Sequence, residues 1–241
     1  MSILRVATIE PEGATTTLTL GASGDTVTSS ADAIKVNTLK DAGGNTILTS
    51  NGSGTLSSVN AGLKGGMIFI SSQTASGSES IAFTSGIDST YDEYIFIITA
   101  MNPVTNQAEF QFNASIDGGS NNNVNKTTTA FGIYHNEANT ETDLSYKSSW
   151  DLADSTNYTT IIQDTGSGSD ECGAAIVHLY APSSTTYIKH FTITGPCYNP
   201  GPGAQTAFFA GFFNTTSAIN AINFKMSTGN FDGIIALYGI S

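Results

Sequence analysis

Gly173-Ala174-Ala175-Ile176-Val177-His178-Leu179-Tyr180-Ala181, then Pro182-Ser183-Ser184-Thr185, then Thr186-Tyr187-Ile188-Lys189-His190-Phe191-Thr192-Ile193-Thr194, is the stretch whose reading decides the fold. Ala175, Val177, Leu179 and Ala181 alternate with Ile176, His178 and Tyr180, and Phe191 and Ile193 alternate with His190, Thr192 and Thr194. That is the two-residue period of β-strands, so the stretch reads as a hairpin turning at Pro182–Thr185. Burial sets its register, because a one-residue slip would turn one whole apolar set outward. The expected register puts Val177 opposite Phe191 and Ala175 opposite Ile193, which also sets His178 opposite His190. Cys172 and Cys197 flank the hairpin at an odd offset, so a regular ladder sends them to opposite faces, and only a bulge near Pro196 would let them bridge.

Working outward, the chain from Met67 is dense in large apolar residues. Its strand candidates are 67–72, 80–84, 93–100, 109–115, 127–134, 158–163, the two arms of the hairpin, 207–213, 221–226 and 234–239. Glu93–Ala100 is nearly continuous apolar and reads as a central strand. Phe110, Phe112 and Ala114 alternate with Gln111 and Asn113, as in a sheet with one wet face. About ten strands with regular turn signals and no long helical pattern indicate an all-β, jelly-roll-like sandwich over residues 67–241. The polar stretches 116–126, 135–143, 165–171 and 198–205 read as loops.

Residues 1–64 differ. Short β-like pieces, among them Thr15–Leu20, Asp25–Ser29, Ala33–Leu39 and Asn45–Ser50, alternate with small polar turns, as in hairpins. Their bulky apolar residues are too few to close a core for a free unit of that size. The segment reads as an N-terminal anchoring and oligomerisation arm or stalk, and Ser57–Gly66 as its connection to the head.

The 241 residues carry a formal charge of −12 and only 12% charged residues. Four lysines stand against fifteen carboxylates after residue 64, and the chain has a single arginine, Arg5. A chain with no basic patch has nothing to neutralise phosphates, which excludes nucleic acid and anionic membrane as partners. No apolar run is long enough for a membrane-spanning helix, and the start lacks the pattern of a secretory signal, so neither membrane insertion nor export by that route is expected.

Several groupings of functional side chains are possible. His178 and His190, if opposed, would begin a metal site or a pH-sensitive contact, although no local third ligand completes it. Asp117-Gly118-Gly119-Ser120-Asn121 lacks the alternating ligands of a calcium loop and reads as a turn. Asp164, Asp170 and Glu171 around Thr165–Ser169 could form an oxygen-rich loop site. Tyr134, Trp150, Tyr158, Tyr198 and Phe209 could build a sugar-stacking platform or simply fill the core. No nucleophile elbow, phosphate-cradling loop, zinc spacing or dinucleotide fingerprint occurs, so no catalytic, cofactor-binding or metal-ligating residue is assigned and an enzyme is not expected.

The segments Leu18–Val27, Ile81–Tyr94, Pro182–Thr186, Phe213–Asn220 and Ile234–Ile240 are phrased like parts of virion structural proteins of tailed marine bacteriophages, which the chain resembles over most of its length. The resemblance implies a non-enzymatic surface fibre, appendage or capsid-decoration protein. Such a protein is commonly trimeric, attached to capsid or tail by its N-terminal arm, and displays a jelly-roll head on the virion surface after assembly in the host cytoplasm. It leaves open a carbohydrate- or receptor-binding tail fibre module that touches a host-surface glycan, and a hydrolytic tailspike.

Overall fold

The structure, a computed structural model, describes residues 36–59 and 66–240. Two compact units divide the chain, Met1–Lys64 and Gly65–Ser241. In the first, β1 (Thr38–Lys40), β2 (Thr46–Ser50) and β3 (Leu56–Val59) form an antiparallel three-stranded sheet in the order β1-β2-β3. The Asp41 carboxylate accepts the Asn45 amide at 2.8 Å and closes the first turn. Part of the expected connection, 57–59, is therefore strand, because Leu48 finds Val59 as its partner across the ladder. The strand candidates Thr15–Leu20 and Asp25–Ser29 lie outside the described residues.

The second unit holds β4 (Met67–Ser78), β5 (Ser80–Phe83), β6 (Glu93–Pro103), β7 (Phe110–Ser115), β8 (Lys126–Asn136), β9 (Thr142–Tyr146), β10 (Thr159–Ile162), β11 (Gly173–Tyr180), β12 (Lys189–Asn199), β13 (Gly203–Phe213), β14 (Ala221–Met226) and β15 (Phe231–Ile240). All pairings are antiparallel. Eight strands make a large sheet in the order β4-β15-β6-β11-β12-β13-β8-β9, and four make a small one, β10-β7-β14-β5. With the hairpins β8/β9 and β12/β13 set aside, the other strands pair from the outside in: β4 with β15, β5 with β14, β6 with β11, β7 with β10. Successive members of this set alternate between sheets, which is the wrapped double hairpin of a jelly roll. The two extra hairpins lengthen the large sheet beyond β11. The head is a jelly-roll β-sandwich, as its strand pattern led us to expect.

Between the sheets lies an aromatic core. Phe224 of β14 packs against Phe83, Phe96, Phe110 and Phe112, with ring centroids 5.2–6.3 Å apart. Phe112 in turn meets Phe191 and Phe213 of the large sheet at 5.2 and 5.9 Å. The central position expected for Glu93–Ala100 holds: β6 lies between β15 and β11, with Tyr94, Phe96 and Ile98 turned inward and fully buried. The wet face expected on β7 is largely covered. Asn113 and Ser115 are buried, since Asn113 donates to the Thr156 carbonyl at 2.9 Å and the Ser115 hydroxyl accepts the Gly119 amide at 3.0 Å.

The hairpin that opened the sequence reading is present as β11 and β12, but its register is two residues away from the expected one. Val177 faces Ile193, Leu179 faces Phe191, and His178 faces Thr192, not His190. An even shift keeps every residue on its expected face, so burial alone could not select between the two registers. Cys197 is buried opposite Gly173, Cys172 is exposed, and both are free thiols. Two expected loops are shorter than expected: β8 and β9 take up both ends of 135–143 and leave 137–141 between them, and β12 and β13 reduce 198–205 to a turn at 200–202.

On the outer side of the large sheet one row of side chains crosses all eight strands. It runs from Ser72 through Ala236, Ile97 and Ile176 to Thr194, and on through Phe208 and Phe131 to Tyr146. None of these side chains is charged.

Candidate functional site

The small sheet ends at β10, and past that edge the inner face of β13, β8 and β9 is capped by the segment that follows β9. This segment is tied to β8 by backbone bonds: the Lys147 amide to the Ala130 carbonyl at 3.0 Å, the Thr128 amide to the Leu152 carbonyl at 2.8 Å, and Lys126 to Ser155 in both directions at 2.9 Å. It carries Trp150 onto the inner face, where the indole meets Phe209 at 6.3 Å between centroids. Gly132 lies beneath the ring, and a Cβ there would come within 2.8 Å of two ring carbons. The absence of a side chain on β8 at this point is what lets the indole lie down.

Trp150 is shared by two clefts. The first, of about 360 Å³, opens between Tyr134, Asp143, Lys147, Asp164, Asn199 and Gln205. The second, of about 490 Å³, lies over the small sheet between Glu109, Tyr158, Thr160 and Lys225. A hydrogen-bonded chain connects them. Asn199 Nδ2 donates to Gln205 Oε1 at 2.9 Å, Gln205 Nε2 donates to the Gln163 carbonyl at 3.2 Å, and Gln163 Nε2 donates to Glu109 Oε1 at 3.1 Å. Gln163 and Gln205 are both buried, so the chain is fixed before any ligand arrives.

Several carboxylates of these clefts are already engaged. Glu109 also accepts the Gln111 amide and the Thr160 hydroxyl, each at 3.0 Å. Asp143 is paired with Lys147, whose ammonium stands 5.5 Å from the Trp150 ring centroid. Asp151 accepts the Tyr146 hydroxyl. Asp164 sits on a left-handed backbone at φ 55°. Burial pushes its pKa up, a hydrogen bond from Gln205 pulls it down, and the nearby Glu109 charge pushes it up again. In the second cleft Lys225 Nζ lies 4.6 Å above the Tyr158 ring, and the Tyr158 hydroxyl donates to Asn223 Oδ1 at 3.0 Å. Aromatic faces beside fixed amides and carboxylates form a surface for a neutral polyhydroxylated or amide-bearing ligand.

The expected aromatic platform is divided by the fold. Tyr134 joins Trp150 in the first cleft and Tyr158 joins it in the second, whereas Phe209 is core and Tyr198 borders a separate hollow beside His135. The opposed histidine pair does not form. His178 Nδ1 instead meets Glu93 Oε1 at 2.6 Å, and His190 packs on Phe212. Asp117 closes its own turn, accepting the Ser115 hydroxyl at 2.6 Å and the Asn121 amide at 2.9 Å; these bonds hold its pKa at about 2. Asp164, Asp170 and Glu171 are not gathered. Asp164 belongs to the first cleft, Glu171 accepts the Gly168 amide at 2.7 Å, and Asp170 is exposed. No group of three metal-ligating side chains occurs among the described residues. Sequence reasoning missed Glu109, Gln163, Lys225, Asn199 and Gln205; the strand period marks Gln205 as facing inward, but nothing local says that it meets Asp164.

Comparison with known protein families, with curated proteins and with solved structures finds no match to this chain.

Proposed function

We propose that the protein is a non-enzymatic structural protein of a bacteriophage virion, a surface fibre or capsid-decoration protein whose N-terminal unit attaches to capsid or tail and whose jelly-roll head is displayed. The observation that carries the non-enzymatic part is the engagement of Glu109, which accepts three side-chain hydrogen bonds, and of Asp143, which accepts from Ser145 and Lys147. A carboxylate that accepts two or three hydrogen bonds holds structure in place and is poorly suited to take up or deliver a proton. The virion setting is supported by the resemblance of the sequence and by the jelly-roll scaffold. Antibody against the full chain should label the outside of intact particles in electron microscopy, and the chain should be found by mass spectrometry in purified particles. Its absence from particles would overturn the proposal.

A second reading, a carbohydrate- or receptor-binding fibre module, is favoured by the cleft that joins Tyr134 and Trp150 to Asn199, Gln205 and Asp164. The full chain should then bind members of a glycan array, and Trp150→Ala should weaken that binding at least about tenfold, since loss of an aromatic anchor in a partly buried site costs more than about 1.4 kcal/mol. An array without any bound glycan sinks this reading and leaves the structural one standing.

A further inference from the structure

We infer that the outer face of the eight-stranded sheet is the surface through which copies of this chain pack against one another. The face carries two apolar strips. On the β15-β6-β11 side Ile234 and Ile176 are 45% and 43% exposed, with Ile97 between them. On the β13-β8-β9 side Phe131 and Leu144 are 44% and 70% exposed, and Phe131 stacks on Phe208 at 4.6 Å between centroids. Thr192 and Thr194 of β12 separate the strips. Exposed β-branched and aromatic side chains on a continuous sheet face go beyond the scattered apolar residues of ordinary surfaces.

Size and charge identify the occupant. Seven inter-strand steps of about 4.8 Å and about 20 Å of strand give a face of roughly 700 Å². A stable interface of standard size buries about 800 Å² per partner, so the face is of the extent a folded partner needs. From residue 65 onward the chain has four lysines against fifteen carboxylates, and two copies therefore repel over most of their surfaces. The central rows of this face are the exception. The row from Ser72 to Tyr146 is uncharged, and the carboxylates nearest to it, Glu93 and Asp232, stand two rows away on either side, Glu93 held by His178 and Asp232 accepting the Gly77 amide. A cationic partner would be drawn to the acidic loops instead. A second copy presenting the same face matches this one in both polarity and charge, as symmetric self-association requires. The inference rests on the proposed function only for where copies meet; a face that packs on its own copy closes a twofold pair and does not by itself build the expected trimer.

The test uses the full chain. Light scattering at several concentrations should give a mass that rises to at least twice 25.0 kDa. The double variants Ile176→Asp/Ile234→Asp and Phe131→Asp/Leu144→Asp should each associate at least about tenfold more weakly, with unchanged circular dichroism. Val104→Asp, which adds the same charge at a residue 65% exposed in the turn after β6, should leave the mass unaltered. If a charged variant fails to fold, a milder one replaces it: Thr194→Cys in a Cys172→Ser chain should form a covalent dimer with a short bis-maleimide, whereas Val104→Cys in the same background should not. A monomer at every concentration, an oligomer that the charged variants leave intact, or a chain that floats with neutral lipid vesicles in place of self-associating would overturn the inference. None of these outcomes depends on whether the chain is found in particles, so the two proposals fail separately.

Discussion

Gly195 stands where β10 of the small sheet comes close to β12 of the large one. It faces inward from β12, and a Cβ there would collide with the carbonyl oxygen of Ile161 in β10, a backbone atom that cannot rotate away. Gly195→Ala should therefore destabilise the head by about 2 kcal/mol, in the range of overpacking within a core, and chemical denaturation would show it as a lowered midpoint with unchanged slope. Lys126 makes the opposite kind of residue-scale statement. It is fully buried on the inner face, its ammonium donates to the Val124 carbonyl at 3.1 Å and to the Asn157 carbonyl, and burial lowers its pKa to about 7. The unfolded chain holds this proton up to about pH 10.4. Between those two values unfolding takes up a proton, so stability rises with pH across that window, with a slope of up to about 1.4 kcal/mol per unit from this group. Below pH 7 both states are protonated and the burial penalty is constant. Lys126→Met should flatten this rise when the midpoint of urea unfolding is followed from pH 7 to pH 10, and an unchanged slope would mean that Lys126 is not the group responsible.

At the scale of elements the β11/β12 hairpin is the instructive case. The alternation of Val177, Leu179, Phe191 and Ile193 assigned every side chain to its correct face, yet the pairing lies two residues from the expected one. Turn length and the neighbours on either side make the choice: β6 pairs along β11 from Gly173 to Tyr180, and β13 pairs along the whole of β12. In a Cys172→Ser background, Ile176→Cys/Thr194→Cys should cross-link readily under a short thiol-specific reagent, because residues directly opposite lie about 4.5–5.5 Å apart. His178→Cys/His190→Cys, which the other register would oppose, should react more slowly at the diagonal spacing of about 7–8 Å. Equal rates would count against the register. Strand β9 was hidden for a related reason: Thr142–Tyr146 has only Leu144 and Tyr146 as large apolar residues, both on the outer face, so its membership of the sheet comes from β8.

For the whole molecule, charge and topology act together. Carboxylates crowd the loops and sheet ends while the outer face of the large sheet stays nearly neutral, so association works against long-range repulsion between copies. Raising the salt from about 0.02 M to about 0.3 M shortens the screening length below about 10 Å, and the apparent association of the full chain should strengthen in light scattering. Weaker association at high salt would point to an interface held by ion pairs across it. The jelly roll also explains the place of the Trp150 clefts. Four strands cover only part of an eight-stranded partner, and the uncovered inner face next to β10 must be filled by a loop, which leaves openings on both sides of the indole.

Sequence alone determined that the protein is all-β, which strand is central, which face of each hairpin strand is buried, and that acidity concentrates after residue 64. These properties follow from local alternation and composition, because side-chain period and burial are set residue by residue. Tertiary structure decided the register of β11 on β12, the wrapping of β4–β15 into two unequal sheets, and the meeting of Trp150 with Gly132 and of Gln205 with Asp164. The wrapping and the side-chain meetings join segments that local sequence does not relate, and in the hairpin registers two residues apart bury the same side chains, so only the simultaneous packing of all neighbours selects among them.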